Sequence, residues 1–137
     1  MSIFYEFKES DWKLFRKKLP QWQERYMGKL IEEYEAHLQG EGRPSEKFWW
    51  LWDRMKEDEK MPGVVVDRVS RSRMVMLMEG LLITNAITSL DDLEGFSEPL
   101  VADLVRYVKV FGKRNSAATR LALEWLKKHS DFKLSDF

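Results

Sequence analysis

Along most of this chain the apolar side chains recur at steps of three and four, and no alternation of period two runs longer than four residues. That spacing collects apolar groups on one side of an α-helix, whereas a half-buried strand needs strict alternation. The expected fold is all-α, an irregular bundle of five to six helices with short connections. Four prolines and the glycines punctuate the pattern.

Ser10 can cap a first helix over 11–19, its hydroxyl accepting from a free first-turn amide. Pro20 either kinks that helix or opens the next one, where its missing N–H costs nothing. Over 20–38, Trp22, Tyr26, Leu30 and Tyr34 recur every fourth residue with Met27 and Ile31 beside them, and Gly40 and Gly42 end the pattern. Ser45 caps a third helix, in which Phe48, Leu51, Trp52 and Met55 match the amphipathic template and can share a buried face. Pro62 and Gly63 break it. A fourth helix over 64–84 would line up Val66, Val69, Arg73, Met76, Leu77, Gly80 and Leu81, although three successive valines at its start favour strand locally. Ser89 and Asp92 have the spacing of a capping pair around a short turn. Ser97 and Pro99 open a further helix with Leu100, Leu104, Val108 and Phe111 as its buried stripe and Gly112 as its stop. Ser116 caps the last helix, 116–129, with Leu121, Trp125 and Leu126 facing inward.

Composition narrows the functional classes. With 44% hydrophobic residues and six tryptophans, a chain of 137 residues can bury roughly two-thirds of its unfolded surface. A charged fraction of 34% at zero net charge argues against a disordered chain. The longest apolar runs, 48–52 and 74–78, fall far short of the ~18 residues of a membrane span. The first residues lack the basic start and apolar stretch of a signal peptide, and the absence of cysteine excludes disulfides. These features suggest a soluble cytoplasmic domain that does not act in a membrane.

Catalytic signals are missing. His37 and His129 are the only histidines; both fall near helix C-termini, where imidazolium is favoured, and neither has a second ligand at metal-binding spacing. The acidic runs Glu32-Glu33-Glu35 and Glu57-Asp58-Glu59 read as solvated helix faces. No glycine-rich phosphate loop and no Gly-x-Ser-x-Gly motif occurs. The expectation is a protein that is not an enzyme and carries no metal or cofactor.

Three features point to binding. In the run 48–52, Trp49 and Trp50 lie about 100° and 200° around the helix from Phe48, so the whole run cannot share one face. Either a second helix covers them, or one, more readily Trp49, is exposed as an interface anchor. Arg68, Arg71 and Arg73 could clamp phosphates or acidic side chains, with Arg68 and Arg71 on one helix face, or could pair with acids such as Asp91, Asp92 and Glu94. Charge also divides the chain: residues 1–105 carry 15 basic and 20 acidic side chains, residues 106–137 carry 8 and 3. This suggests a helical body over 1–105 and a basic helical extension over 106–137, packed on or beside it. Lys109, Lys113, Arg114, Arg120, Lys127 and Lys128 would then meet nucleic acid or an acidic partner, or the extension would neutralise the cluster Asp91, Asp92, Glu94, Glu98 and Asp103. Lys113, Arg114 and Asn115 also precede a helix N-terminus, which favours anions.

Five stretches carry a resemblance: Phe4-Tyr5-Glu6-Phe7-Lys8, Trp22-Gln23-Glu24-Arg25-Tyr26-Met27, Ser45-Glu46-Lys47-Phe48-Trp49, Pro62-Gly63-Val64-Val65 and 90–97 around Asp91-Asp92-Leu93-Glu94. Over residues 3–105 the chain resembles small helical proteins of Gram-positive bacterial mobile elements that often bear a multidrug-transporter label. That label does not suit a chain with no membrane span. The resemblance implies a genomic setting and transfers no catalytic residue; it ends where the charge changes sign. It suggests an inhibitor of a host defence nuclease, anti-CRISPR-like, whose partner is another protein such as a nuclease or a nucleoprotein complex. The alternatives are a small nucleic-acid-binding module using the basic end and a homodimer or larger homo-oligomer held by the apolar excess.

Overall fold

Pro20 does not divide the first two predicted helices. In the computed structural model, which describes residues 5–112 and 114–129, one helix, α1 (Glu9–Gln39), continues through it. Pro20 lies on the exposed side, while Phe15, Leu19 and Trp22 around it are buried in the main core. An interior proline costs a helix about 3 kcal/mol; burial of large side chains on both sides of it offsets that cost. The helix begins at Glu9 after Lys8, so Ser10 sits within the first turn and does not cap it. α2 (Pro44–Asp58) follows, with Pro44 in its first turn where no N–H is needed; Arg43, not Ser45, holds the cap position.

The predicted helix over 64–84 is shorter. Residues 64–70 are turn and extended chain, Arg71–Arg73 forms a 3-10 turn, and only then does α3 (Met74–Ile83) begin. Geometry explains the difference. Gln23 of α1 donates through Nε2 to the carbonyl of Pro62 at 3.1 Å, and Arg71 grips Glu9 near the start of α1. The chain must retrace about 21 Å of helix between those points. Extended backbone covers that distance easily at ~3.3 Å per residue, and the three valines favour it.

A second 3-10 turn, Leu90–Leu93, carries the predicted capping box of Ser89 and Asp92. α4 (Glu98–Phe111) has Ser97 at its cap as expected, and α5 (Ser116–Lys128) is capped by Asn115, one residue before the predicted Ser116. Among the described residues there are five α-helices and no strand, an all-α bundle. No described helix is long and apolar enough to cross a membrane.

The core lies at one end of α1. Its N-terminal half contributes Trp12, Phe15, Leu19 and Trp22, which pack with α3, the 90–93 turn, α4 and α5. Trp12, Phe15, Trp22 and Phe96 form a chain of ring contacts at 6.0–6.3 Å. Leu100, Leu104 and Val108 are buried as their spacing predicts, but Phe111 is 67% exposed and rests against Tyr107. The change of charge after residue 105 lies inside α4, and Ala118, Leu121, Ala122 and Trp125 of α5 join the same core. Residues 130–137 of the basic extension, and Lys113, lie outside the described residues.

Two buried carboxylates tie this body together. Asp11 accepts from the Ser97 amide at 2.8 Å and from its hydroxyl at 2.5 Å, joining the first turn of α1 to the start of α4. Asp92 receives both Arg25 guanidinium nitrogens at 2.8 Å and the Thr88 amide at 2.8 Å, while Arg25 also donates to the Ala86 carbonyl. Burial by itself would raise the Asp92 carboxyl. Arg25 and the Thr88 and Ser89 amides more than offset it and hold the group below its ordinary value.

Candidate functional site

Beyond Tyr26, which still packs against the core, α1 pairs with α2 as an arm. α2 turns a mixed aromatic and polar face inward: Trp50, Arg54 and Asp58, at successive steps of four, meet His37, Tyr34 and Glu33 of α1. The Trp50 ring lies flat on His37, with 3.5 Å between centroids and 9° between planes, and stands edge-on to Tyr34 at 6.2 Å. Tyr34 donates its hydroxyl to Asp58 at 2.5 Å. Arg54 donates to Asp58 at 3.0 Å and to Glu33, with its guanidinium over the Tyr34 and Trp50 rings. Burial, helped by the Asp58 carboxylate, pushes the Tyr34 phenol up to about 12, so it remains a donor at neutral pH.

Because α2 is pinned by that face, its apolar stripe points outward. Phe48, Trp49, Trp52 and Met55 are each half or more exposed, and no residue of α2 is buried. The predicted burial of Phe48 and Trp52 is therefore reversed. Phe48 meets Trp49 edge-on at 4.9 Å, and Trp49 meets Trp52 at 6.5 Å, so the three rings form one surface. That surface continues into a groove of about 640 Å³ between the two helices and the following loop, lined by Met27, Ile31, Tyr34, Trp52, Met55 and Val65. Ile31 and Val65 are also at least half exposed.

Of the predicted anchors, Trp49 is on this surface and Trp50 is the half-buried clasp behind it. The arginines are elsewhere. Arg71 holds Glu9 through Nε at 3.0 Å and Nη2 at 2.7 Å, drawing the Glu9 carboxyl below its ordinary value, and lies over the Trp12 ring at 5.5 Å. Glu9 and His37, the α1 partners of Arg71 and Trp50, are about 42 Å apart along the helix. Arg68 is exposed in the extended segment, and Arg73 donates from Nε to its carbonyl at 3.2 Å. Arg68 and Arg71 thus share no helix face and pair with none of Asp91, Asp92 and Glu94. The structure does not bring the arginines to Trp49.

The basic end presents several of its charges to solvent. Arg114, Arg120, Lys127 and Lys128 are exposed, and none of the four makes an ion pair among the described residues. Lys109 is exposed in the last turn of α4. The acidic cluster is only partly available to them: Asp92 belongs to Arg25, and Asp103 pairs with Arg106 and accepts from the Tyr5 amide at 3.1 Å. Lys128 does share a second hollow with Asp91, Glu94 and Glu98. At the N-terminus of α5, the Asn115 side-chain Oδ1 accepts from the Ala118 amide at 3.0 Å, and its Nδ2 donates to the Ile83 carbonyl and to Asn85 Oδ1, both at 2.8 Å. An anion there competes with a side chain already in place. His129 stacks on Trp125 at 4.3 Å.

Phe48, Trp52, Met55 and Ile31 are the site residues that sequence reasoning assigned to the core. The signal that could have placed them outside was on the other face. Arg54 and Asp58 are an i, i+4 pair, and Glu33, Tyr34 and His37 supply one α1 turn able to receive Arg54, Asp58 and Trp50 together.

No family model, curated protein or solved structure matches this chain.

Proposed function

We propose that this is a non-enzymatic protein that acts by protein–protein contact through the outer face of the arm. The observation that supports it is the orientation of α2, which spends its polar side on α1 and leaves three aromatic rings and Met55 in solvent. Tryptophan in such a cluster is the side chain most enriched at binding hot spots, because it buries a large area at little conformational cost. In the mobile-element setting that the resemblance implies, the partner is a host defence nuclease or its nucleoprotein complex, and the protein is its inhibitor, as anti-CRISPR proteins are.

The test uses the wild-type chain and a Trp49→Ala/Trp52→Ala variant as baits in host lysate, each with and without nuclease digestion. A defence nuclease held by the wild type after digestion, and released by the double substitution, is the expected result. Cells carrying that nuclease should regain plasmid transformation with the wild type and not with the variant. Retention that is indifferent to the tryptophans would contradict the reading.

A nucleic-acid-binding role is the second reading, favoured by the exposed Arg114, Arg120, Lys127 and Lys128. It predicts affinity that falls steeply with salt, since each neutralised phosphate releases a counterion. It also predicts loss of binding in an Arg114→Ala/Lys127→Ala/Lys128→Ala variant. An aromatic contact would be far less sensitive to both changes.

A further inference from the structure

An apolar face on a two-helix arm is half of a familiar arrangement. Two helical hairpins that each expose one apolar side can pack face to face as a four-helix bundle, with each supplying the cover the other lacks. The steps along both helices suit this packing. Met27, Ile31 and Leu38 on α1 follow steps of four and seven, and Phe48, Trp52 and Met55 on α2 follow four and three. These are the intervals of left-handed helix–helix seams.

The area is sufficient. With large aromatic side chains presenting 150–250 Å² each, the exposed parts of Phe48, Trp49, Trp52, Met55, Ile31 and Val65 come to roughly 600 Å². A standard stable interface takes about 800 Å² from each partner, and polar rim residues supply the rest. The largest apolar patch on a typical monomer is about 300–600 Å², and this one is at the top of that range before any rim is counted. The rim is also suited to a copy of itself. Lys56 and Glu59 both border the groove, so a twofold axis can set each against the other's counterpart. With zero net charge, the chain has no overall self-repulsion to oppose the contact.

We infer that in the free protein the outer face of the arm is covered by the arm of a second copy, forming a twofold dimer, and that a binding partner displaces that copy. The displacement step rests on the proposed use of this face for a partner; the dimer does not. It keeps the three exposed rings out of water until the partner is met.

Sedimentation equilibrium from about 1 to 200 µM tests this, a range that brackets the affinities of such interfaces. Three variants accompany the wild type: Trp52→Glu and Ile31→Glu on the arm face, and Met76→Glu on α3 as an exposed control on the body. Circular dichroism verifies that each remains helical. The wild type and Met76→Glu should reach the mass of two chains, and the two arm variants should stay at one. A wild type with the mass of a single chain throughout overturns the inference, as does a dimer that persists in both arm variants. A monomer that still captures a partner through its tryptophans would remove only the dimer. A dimer that captures nothing would retain the dimer and remove the functional reading together with the displacement step.

Discussion

The body and the arm are built from the same long helix and held together by opposite means. In the body, α1 meets α3, α4 and α5 through fully buried side chains such as Phe15, Met78, Leu81, Leu100 and Leu104. In the arm, α1 buries only Leu30 and Tyr34, α2 buries nothing, and the two are joined by ring stacking and the Glu33–Arg54–Asp58–Tyr34 network. Charged and hydrogen-bonded contacts at this exposure stabilise far less than core burial does. Because those contacts are on the inward side of α2, its apolar side is available to another molecule. Continuity through Pro20 fixes one region to the other.

The comparison breaks most visibly under truncation. Phe15→Ala should cost about 3–5 kcal/mol in a denaturant titration, since its ring is fully buried, whereas Met55→Ala should change stability by no more than about 0.5 kcal/mol. Equal losses would mean that the outer face of the arm is part of the fold. Next in size is Asp92→Ala, expected to cost about 2 kcal/mol by leaving the Thr88 amide without its acceptor and Arg25 with only the Ala86 carbonyl. Because the folded Asp92 carboxyl titrates below its ordinary value, the stability it supplies is fully present above about pH 4. It is lost as the pH falls through the folded value. Denaturant midpoints at neutral and acidic pH should therefore diverge less in Asp92→Asn than in the wild type.

Gly63→Ala addresses the junction between the two regions. A Cβ there would fall 2.4–2.8 Å from the Tyr26 ring, and the displacement should cost about 1–3 kcal/mol with a shifted Gln23–Pro62 contact. Smallest is Tyr34→Phe, which removes the hydrogen bond to Asp58 for about 1 kcal/mol. Amide exchange should quicken over 44–58 and stay unchanged over 98–111, since the arm opens independently of the body. A uniform change along the chain would show that the two regions unfold as one.

Much of the body was legible in the sequence because there burial follows the helical period. The stripe Leu100, Leu104 and Val108, the inward Leu121 and Trp125, the opening of α4 at Ser97 and Pro99 and the Ser89–Asp92 turn all follow local rules and are found in place. Three features depend on tertiary distances that no local pattern encodes. Pro20 stays helical because distant core side chains hold both its flanks. Residues 64–70 are extended because Pro62 is held at Gln23, about 21 Å along α1 from Glu9, where Arg71 attaches. The exposure of Phe48 and Trp52 required knowing that Trp50, Arg54 and Asp58 would claim α1 first. Amphipathic spacing identifies an apolar face; it does not say whether this chain or another one covers it.

The central claim is that the outer face of α2 serves binding and is dispensable for folding. The most direct measurement is thermal unfolding of Phe48→Glu/Trp52→Glu beside the wild type, at a concentration low enough that both are monomeric, read together with capture of a protein partner. At about 4 °C per kcal/mol for a chain of this size, the account predicts a midpoint within a few degrees of wild type and loss of capture. A fall of more than about 10 °C, or capture at the wild-type level, would contradict it.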